Sequence, residues 1–287
     1  MGGPSDSSSL PVRCYGFKWS GLDAGMPPIC ELARGAAEIQ VRQVISAAPT
    51  GLSALGPAGG ADDQIAVLEL VTGGFLVLDR RQGTATFEVP VLIDPQELVH
   101  PYLVPAAAGF CSWVGREAYH AGAFVADRRA WAVVGDKEGG KSTLLAVLAQ
   151  RGHPVLSDDL LVLDDRTVRQ GPRLIDLRRP TAEHLGLGEP LESAREGGRW
   201  RVRLAPTPDV DLAGWIFLRW GDTVEMKKVG PSDRIARLLA LAPTRAEAVV
   251  SLAALPAFEL VRPRSWDSLP GAIDRLLEHL GPNPVGS

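Results

Sequence analysis

The chain is short of the residues on which several common functions depend. Three cysteines in 287 residues, Cys14, Cys30 and Cys111, show no CxxC spacing. Neither a disulfide framework nor a cysteine-built zinc site is expected from them. Lysine is scarce, five of the 30 basic residues, and the formal net charge is −4. That balance excludes the broad basic face a nucleic-acid backbone demands, so no nucleic-acid partner is expected. Long hydrophobic runs are missing too. The most apolar stretch, 98–114, is interrupted by His100, Pro101, Tyr102 and Pro105, whereas a membrane span wants about 20 mostly apolar residues. It reads as a buried helix, and no membrane partner is expected. The N-terminal MGGPSDSSS has neither the basic start nor the apolar core of a signal peptide. Asp6 stands where a myristoylation signal needs Ser or Thr. A cytoplasmic location is the resulting expectation.

What remains is an ordinary globular composition, 45% hydrophobic and 22% charged. It holds enough apolar material for a sizeable core and rules out a wholly disordered chain. The length suits one large domain or two smaller ones. Residues 1–95 are rich in strand signals, at 13–19, 36–45, 64–70, 74–80 and 84–92. Asp79-Arg80-Arg81-Gln82-Gly83 reads as a hairpin turn in which Gly83 supplies a positive φ. Residues 47–63, full of Gly, Pro, Ala and Ser, read as a loop.

From about residue 96 the pattern changes. The apolar helix is followed by strands at 120–125 and 129–134, a glycine-rich loop, a helix over 143–150, and apolar pieces at 154–156 and 160–163 around two acids. Strand, loop, helix, strand is α/β grammar. Further on come a strand at 212–220, a helix at 231–241, a strand at 258–261 and a helix at 265–280, with 189–203 a candidate mobile loop. The expected organisation is a β-rich N-terminal domain over 1–95 that can recognise an acceptor, a catalytic domain over 96–280, and a loose tail over 281–287.

The most informative segment is Gly135-Asp136-Lys137-Glu138-Gly139-Gly140-Lys141-Ser142, followed by Thr143. It matches the phosphate-loop pattern G-x-x-x-x-G-K-[ST]. Glycines let the backbone curl so that several N–H groups face phosphate oxygens. The following helix adds the positive end of its dipole. A lysine at position 141 reaches the β- and γ-phosphates, and a serine hydroxyl at 142 ligates Mg²⁺. The flanks agree: Trp131-Ala132-Val133-Val134 reads as a strand and Leu144-Leu145-Ala146-Val147-Leu148 as a helix. Lys137 and Glu138 are unusual inside such a loop and can pair with each other or with a substrate. ATP and Mg²⁺ are the cofactors expected.

A second element, Val155-Leu156-Ser157-Asp158-Asp159-Leu160, delivers two carboxylates 17 and 18 residues after Lys141. Side chains on a strand alternate, but at a strand end the chain can turn and bring both acids to one site. One can support Mg²⁺ and the other can take the proton of an attacking hydroxyl. The alternative is that both merely cap a β-turn.

Taken together, His120, the phosphate loop and Arg151-Gly152-His153-Pro154-Val155-Leu156-Ser157-Asp158-Asp159 resemble the catalytic domain of the HPr kinase/phosphorylase family. The layout is closer still to the HPr-kinase-like proteins found with bacterial peptide natural products, including lasso-peptide kinases. The resemblance is strong over about 115–165, moderate over 166–280 and slight before 95. It implies a phosphate-loop α/β kinase domain related to phosphoenolpyruvate carboxykinase, acting on serine hydroxyls of a protein or peptide. Residue by residue, it implies that Lys141 and Ser142 serve the phosphates and Mg²⁺ and that Asp158 is the general base. It likewise places Asp159 near the metal and makes His120 the histidine that tunes the base. Arg199, Arg201 and Arg203 are the candidates for compensating the transferred phosphoryl charge. The chain departs from the family at Glu138, where a glycine is usual, and at Asp176, which stands where the family carries a glutamate.

The leading expectation is therefore a Mg-ATP-dependent kinase for a Ser or Thr hydroxyl of a small protein or peptide, such as the precursor of a ribosomal peptide natural product. A small-molecule hydroxyl kinase and a catalytically silent nucleotide-binding module are the alternatives. Homo-oligomerisation is left open.

Overall fold

The computed structural model describes residues 12–22, 36–46, 64–191, 198–241 and 246–281. The loop expected at 47–63 and most of the expected tail lie outside these residues, as does the centre of the 189–203 segment. The chain divides into two compact units, 1–114 and 115–287.

The first unit is built on a six-stranded mixed sheet. Its strands are β1 (Val12–Cys14), β2 (Phe17–Ser20), β3 (Glu38–Ile45), β4 (Ile65–Glu69), β5 (Phe75–Asp79) and β6 (Thr84–Val89), ordered β1-β2-β3-β6-β5-β4. β2, β3 and β6 run parallel; the other pairs are antiparallel. Alternation explains the sheet's one-sided core: Leu76 and Leu78 of β5 and Ala85, Phe87 and Val89 of β6 are buried while their neighbours are more exposed. The β5–β6 turn carries Gly83 at φ 63°, as its composition predicts. A short helical turn α1 (Pro95–Glu97), an irregular segment over 98–102 that is kinked at the extended His100, and α2 (Leu103–Trp113) follow. The helix buries Ala106, Ala107 and Phe110, with Phe110 edge-on to Phe17 and Trp19. It lies so close to β5 that a Cβ on Gly109 would collide with Leu78. Helix α2, which the sequence reading places beyond the residue-95 boundary, thus packs on the N-terminal sheet.

The second unit is mixed α/β. Its strands are β7 (Glu117–Tyr119), β8 (Gly122–Ala126), β9 (Arg129–Val134), β10 (Val155–Ser157), β11 (Leu161–Asp164), β12 (Thr167–Arg169), β13 (Leu174–Arg178), β14 (Glu189–Leu191), β15 (Arg199–Arg203), β16 (Val210–Trp220), β17 (Glu225–Lys228) and β18 (Ala257–Arg262). Its helices are α3 (Lys141–Gln150), α4 (Arg179–Leu185), α5 (Pro231–Leu241), α6 (Ala246–Ala253) and α7 (Leu269–Leu280). A nine-stranded sheet has the path β10-β8-β9-β16-β12-β11-β7, with β18 and then β17 branching from β16. At its heart β9, β16 and β18 are parallel.

That parallel centre accounts for the continuous hydrophobic runs, since such strands are covered on both faces. Val133 and Ile216 face a core shared with Leu144, Leu148, Ile273 and Leu276 of α3 and α7. Their neighbours Ala132, Val134, Trp215 and Phe217 face another, shared with Leu238, Val249 and Leu252 of α5 and α6. Trp215 is fully buried and its indole N–H donates to the Leu252 carbonyl at 3.2 Å.

Three sequence expectations shift. The strand assigned to 120–125 begins at Gly122, because His120 and Ala121 form a bend in which the Ala121 amide donates to the Tyr119 carbonyl. The last helix begins at Leu269, behind a turn held by the Ser268 hydroxyl. The described ends of the expected mobile loop are strands: β15 is the centre of a three-stranded sheet β13-β15-β14. There Arg201 grips Asp176 through two 2.8 Å bonds, the side chains 5% and 1% exposed.

Removing one member of a buried ion pair strands the other charge. Asp176→Ala is therefore expected to destabilise the second unit by about 3–5 kcal/mol. The double replacement Asp176→Leu with Arg201→Met is expected to restore most of that loss. Chemical denaturation of the three proteins measures both.

Candidate functional site

The site is assembled where the parallel strands end. Val134 of β9 lies in register with Phe217, and β16 runs on to Trp220 opposite Arg262, the last residue of β18. The loop 135–140 leaves β9 at this edge, where ligands of open α/β sheets bind. It curls back on itself, the Gly139 amide donating to the Asp136 carbonyl at 2.8 Å. Gly140 is the N-cap of α3 with φ 79°, a left-handed conformation glycine adopts without penalty. A Cβ there would run into the Arg262 guanidinium.

Gly140 offers α3 no side-chain cap. The first-turn amides have no intrahelical acceptor and the helix dipole points its positive end at the loop. Lys141 begins the helix with its side chain nearly enclosed, and Ser142 and Thr143 are partly exposed. Gly135, Gly139 and Gly140 are half-buried, whereas Asp136, Lys137 and Glu138 face solvent. A polyphosphate fits this donor set: unsatisfied first-turn amides, a lysine and a hydroxyl at the start of a helix entered through a glycine-rich loop.

The acid pair follows β10, which lies antiparallel to β8. The chain turns sharply there. Asp159 has φ 67°, its amide donates to the Asp158 carboxylate at 3.0 Å, and the Leu160 amide donates to the Asp158 carbonyl at 2.9 Å. The Asp158 side chain is buried and Asp159 is half-exposed. Among the described residues no group of three or more His, Cys, Asp or Glu can hold a metal. Magnesium at a phosphoryl-transfer site needs less, one or two carboxylates besides the substrate phosphates. Ser142 and Asp159 are of the donor type for that arrangement.

His120 joins the two halves. Its Nδ1 lies 3.0 Å from the Asp159 carbonyl oxygen and its Nε2 3.1 Å from the Lys141 ammonium. A carbonyl only accepts, so Nδ1 carries the proton and donates. Nε2 then offers its lone pair to Lys141. The imidazole is neutral in this arrangement. Desolvation, and then the adjacent Lys141 charge, hold its pKa below the usual value; Asp159 opposes them.

Two arginines that the sequence reading did not single out support this assembly. Arg173, 3% exposed, donates to the carbonyls of Val155, Leu156 and Ala205 at 2.6–3.1 Å, which fixes the strand leading to Asp158. Arg262 lies against the 135–140 loop. Its guanidinium donates to the Gly139 carbonyl at 3.0 Å and the Gly140 carbonyl at 3.4 Å, and sits 4.1 Å from the Trp220 ring centroid. Burial lowers its pKa to about 10, still well above neutrality. No motif marks either residue, because each acts on backbone carbonyls far away in sequence.

Glu138, the departure from the resembled family, stands at φ 65°. It pairs with Arg178 at 2.8 Å and Arg264 at 3.6 Å. The bond from Arg178 is the chief reason its carboxyl titrates below the usual range. Of the three arginines expected to face a transferred phosphoryl group, Arg201 is committed to Asp176. Arg199, opposite Arg178 in the ladder, donates to the Gly198 carbonyl, and Arg203 lies at the far end of the same strand.

No family model and no curated protein matches this sequence. Among solved structures the chain is similar to the HPr(Ser) kinase/phosphatase from Coxiella burnetii. The match is 13% identical and covers 57% of this chain and 95% of that chain, with a TM-score of 0.30. Likeness at that level carries no chemistry. No helix among the described residues is long and apolar enough to cross a membrane.

A His whose folded pKa is lowered binds fewer protons than the unfolded chain, so it favours folding above the unfolded value and loses that advantage as pH falls. His120 is expected to titrate below about 6.5, the value of a free imidazole. An NMR titration of the His120 ring measures this; Lys141→Met is expected to raise the midpoint, and a wild-type midpoint at or above 6.5 contradicts the neutral relay.

Proposed function

We propose that the second unit binds Mg-ATP and transfers the γ-phosphoryl group to a Ser or Thr hydroxyl of a small protein or peptide. The observation that carries this reading is the hydrogen-bonded line from Lys141 through His120 to the Asp158–Asp159 turn. It ties Lys141 to the turn that carries both aspartates, and phosphoryl transfer to an alcohol calls for a cation on the phosphates together with carboxylates for the metal and the attacking hydroxyl.

On this reading the amides of the loop and of the first turn of α3 bind the phosphates, and Lys141 adds charge to the terminal ones. Ser142 and Asp159 hold Mg²⁺, which when bound neutralises charge building on the phosphoryl oxygens. The Asp158 carboxylate accepts the acceptor hydroxyl's proton as its oxygen attacks phosphorus and the bond to the leaving ADP oxygen breaks. Neutral His120 occupies Lys141 from one side without adding a second positive charge beside the base. Most of the rate gain comes from positioning and preorganised charge. The N-terminal unit recognises the acceptor.

One observation favours a second reading, a nucleotide-binding module without turnover: an acidic residue, Glu138, in the phosphate loop. Steady-state assays separate them, since the module binds nucleotide and neither hydrolyses nor transfers it.

Asp158→Asn is expected to retain nucleotide affinity and lose about 10²–10⁴-fold in transfer rate. Mass spectrometry of a peptide acceptor after incubation with Mg²⁺ and ATP follows the product. Lys141→Ala is expected to weaken nucleotide binding itself, measured by calorimetry. Wild-type transfer by Asp158→Asn removes the base assignment, and unchanged affinity in Lys141→Ala removes the cradle.

A further inference from the structure

Glu138 poses an electrostatic problem. A loop that receives a polyanion gains nothing from a carboxylate at its tip, and the residue occupies a left-handed backbone conformation, φ 65°, that side chains seldom adopt. Asp136 adds a second acid two residues earlier. Against these stand Arg178 and Arg264, brought in by different elements. Arg178 ends β13, and Arg264 follows β18 just beyond the Arg262 that grips the loop. Both guanidinium groups converge on the Glu138 carboxylate, at 2.8 and 3.6 Å, and all three side chains remain about half or more exposed.

The arginines expected to compensate phosphoryl charge are placed less well. Arg201 is neutralised by Asp176 inside a small sheet. Arg203 pairs with Leu174 while Arg178 pairs with Arg199. Four residues of strand therefore put its backbone roughly 13 Å from that of Arg199.

Resting on the proposed nucleotide site, we infer that Arg178 and Arg264 are phosphate-binding residues of the loop, held at its mouth by Glu138, which the bound nucleotide displaces as their partner. A guanidinium carries five donors in a planar fork and takes phosphate oxygens as readily as a carboxylate. Glu138 keeps two half-exposed cations at the loop before nucleotide arrives, and it competes with the phosphates for them. The ligand class is a nucleoside triphosphate or any linear polyphosphate of that length, because nothing in the contact reads a base.

The test is calorimetric affinity for ATP and for inorganic tripolyphosphate in the full-length protein, wild type against Arg178→Ala, Arg264→Ala and Glu138→Gln, with Lys141→Ala as reference. Each arginine variant is expected to weaken both ligands about threefold to tenfold, the loss of one charge-assisted contact at a hydrated site. Glu138→Gln keeps side-chain size and backbone while removing the competing charge, and is expected to tighten both ligands by a similar factor. Glu138→Gln that weakens binding, or arginine variants that bind like wild type while Lys141→Ala does not, overturns this inference and leaves the nucleotide site standing. Wild-type protein that binds neither ligand removes both. Circular dichroism on each variant establishes that a loss of affinity is not a loss of fold.

Discussion

The contact between the Lys141 ammonium and His120 Nε2 is the constraint on which the rest of this site depends. Lys141 belongs to the loop–helix element and His120 to the bend before β8, while the His120 Nδ1–H reaches the turn that holds both aspartates. Three segments distant in sequence are locked into one polar cluster. The cluster is selective in its protonation. A charged imidazole has no lone pair for Lys141 and places two cations side by side, so the arrangement requires the neutral ring that desolvation and Lys141 both favour.

Around this relay the chain invests arginine in backbone carbonyls. Arg173 takes those of β10 and Arg262 those of Gly139 and Gly140, both almost fully buried. A buried guanidinium is costly unless its donors are used. Arg173 uses all of its nitrogens on the carbonyls of β10 and Ala205, whereas Arg262 uses one on the 135–140 loop and leaves its buried Nε without a partner among the described residues. The Trp220 ring, 4.1 Å from the Arg262 guanidinium carbon, adds a cation–π contact that helps hold it beside Gly140. The abundance of arginine over lysine thus has a structural use beyond composition: the fork of Arg173 spreads its donors over three carbonyls on two segments.

Much of the architecture was legible in the sequence because its signals are local. The β9–loop–α3 unit follows from an apolar strand, a glycine pattern and an apolar helix, and the hairpin at Gly83 from its turn residues. The Asp158–Asp159 turn was expected across from the 135–142 loop on the family resemblance alone, since strand periodicity reports neither the pairing of β8 with β10 nor the His120 contacts that join that turn to Lys141. Arg173, Arg178, Arg262 and Arg264 carried no signal at all. Their partners lie from 17 to 126 residues away in the chain, and no periodicity reports a contact of that kind. Arg199–Arg203 illustrates the converse: its alternating arginines resemble a solvated edge, yet β15 is the middle strand and Arg201 is sealed against Asp176. The start of β8 was misplaced by two residues because His120 serves the relay rather than the ladder.

The most direct measurement is a crystal structure of the full chain with Mg²⁺ and a non-hydrolysable ATP analogue. The account predicts phosphate density on the amides of residues 139–142, with Lys141 against the terminal phosphates and the Asp158 carboxylate facing the γ-phosphorus from the side opposite the leaving oxygen. Phosphates bound elsewhere, or an Asp158 carboxylate turned away from the γ-phosphate, contradicts it.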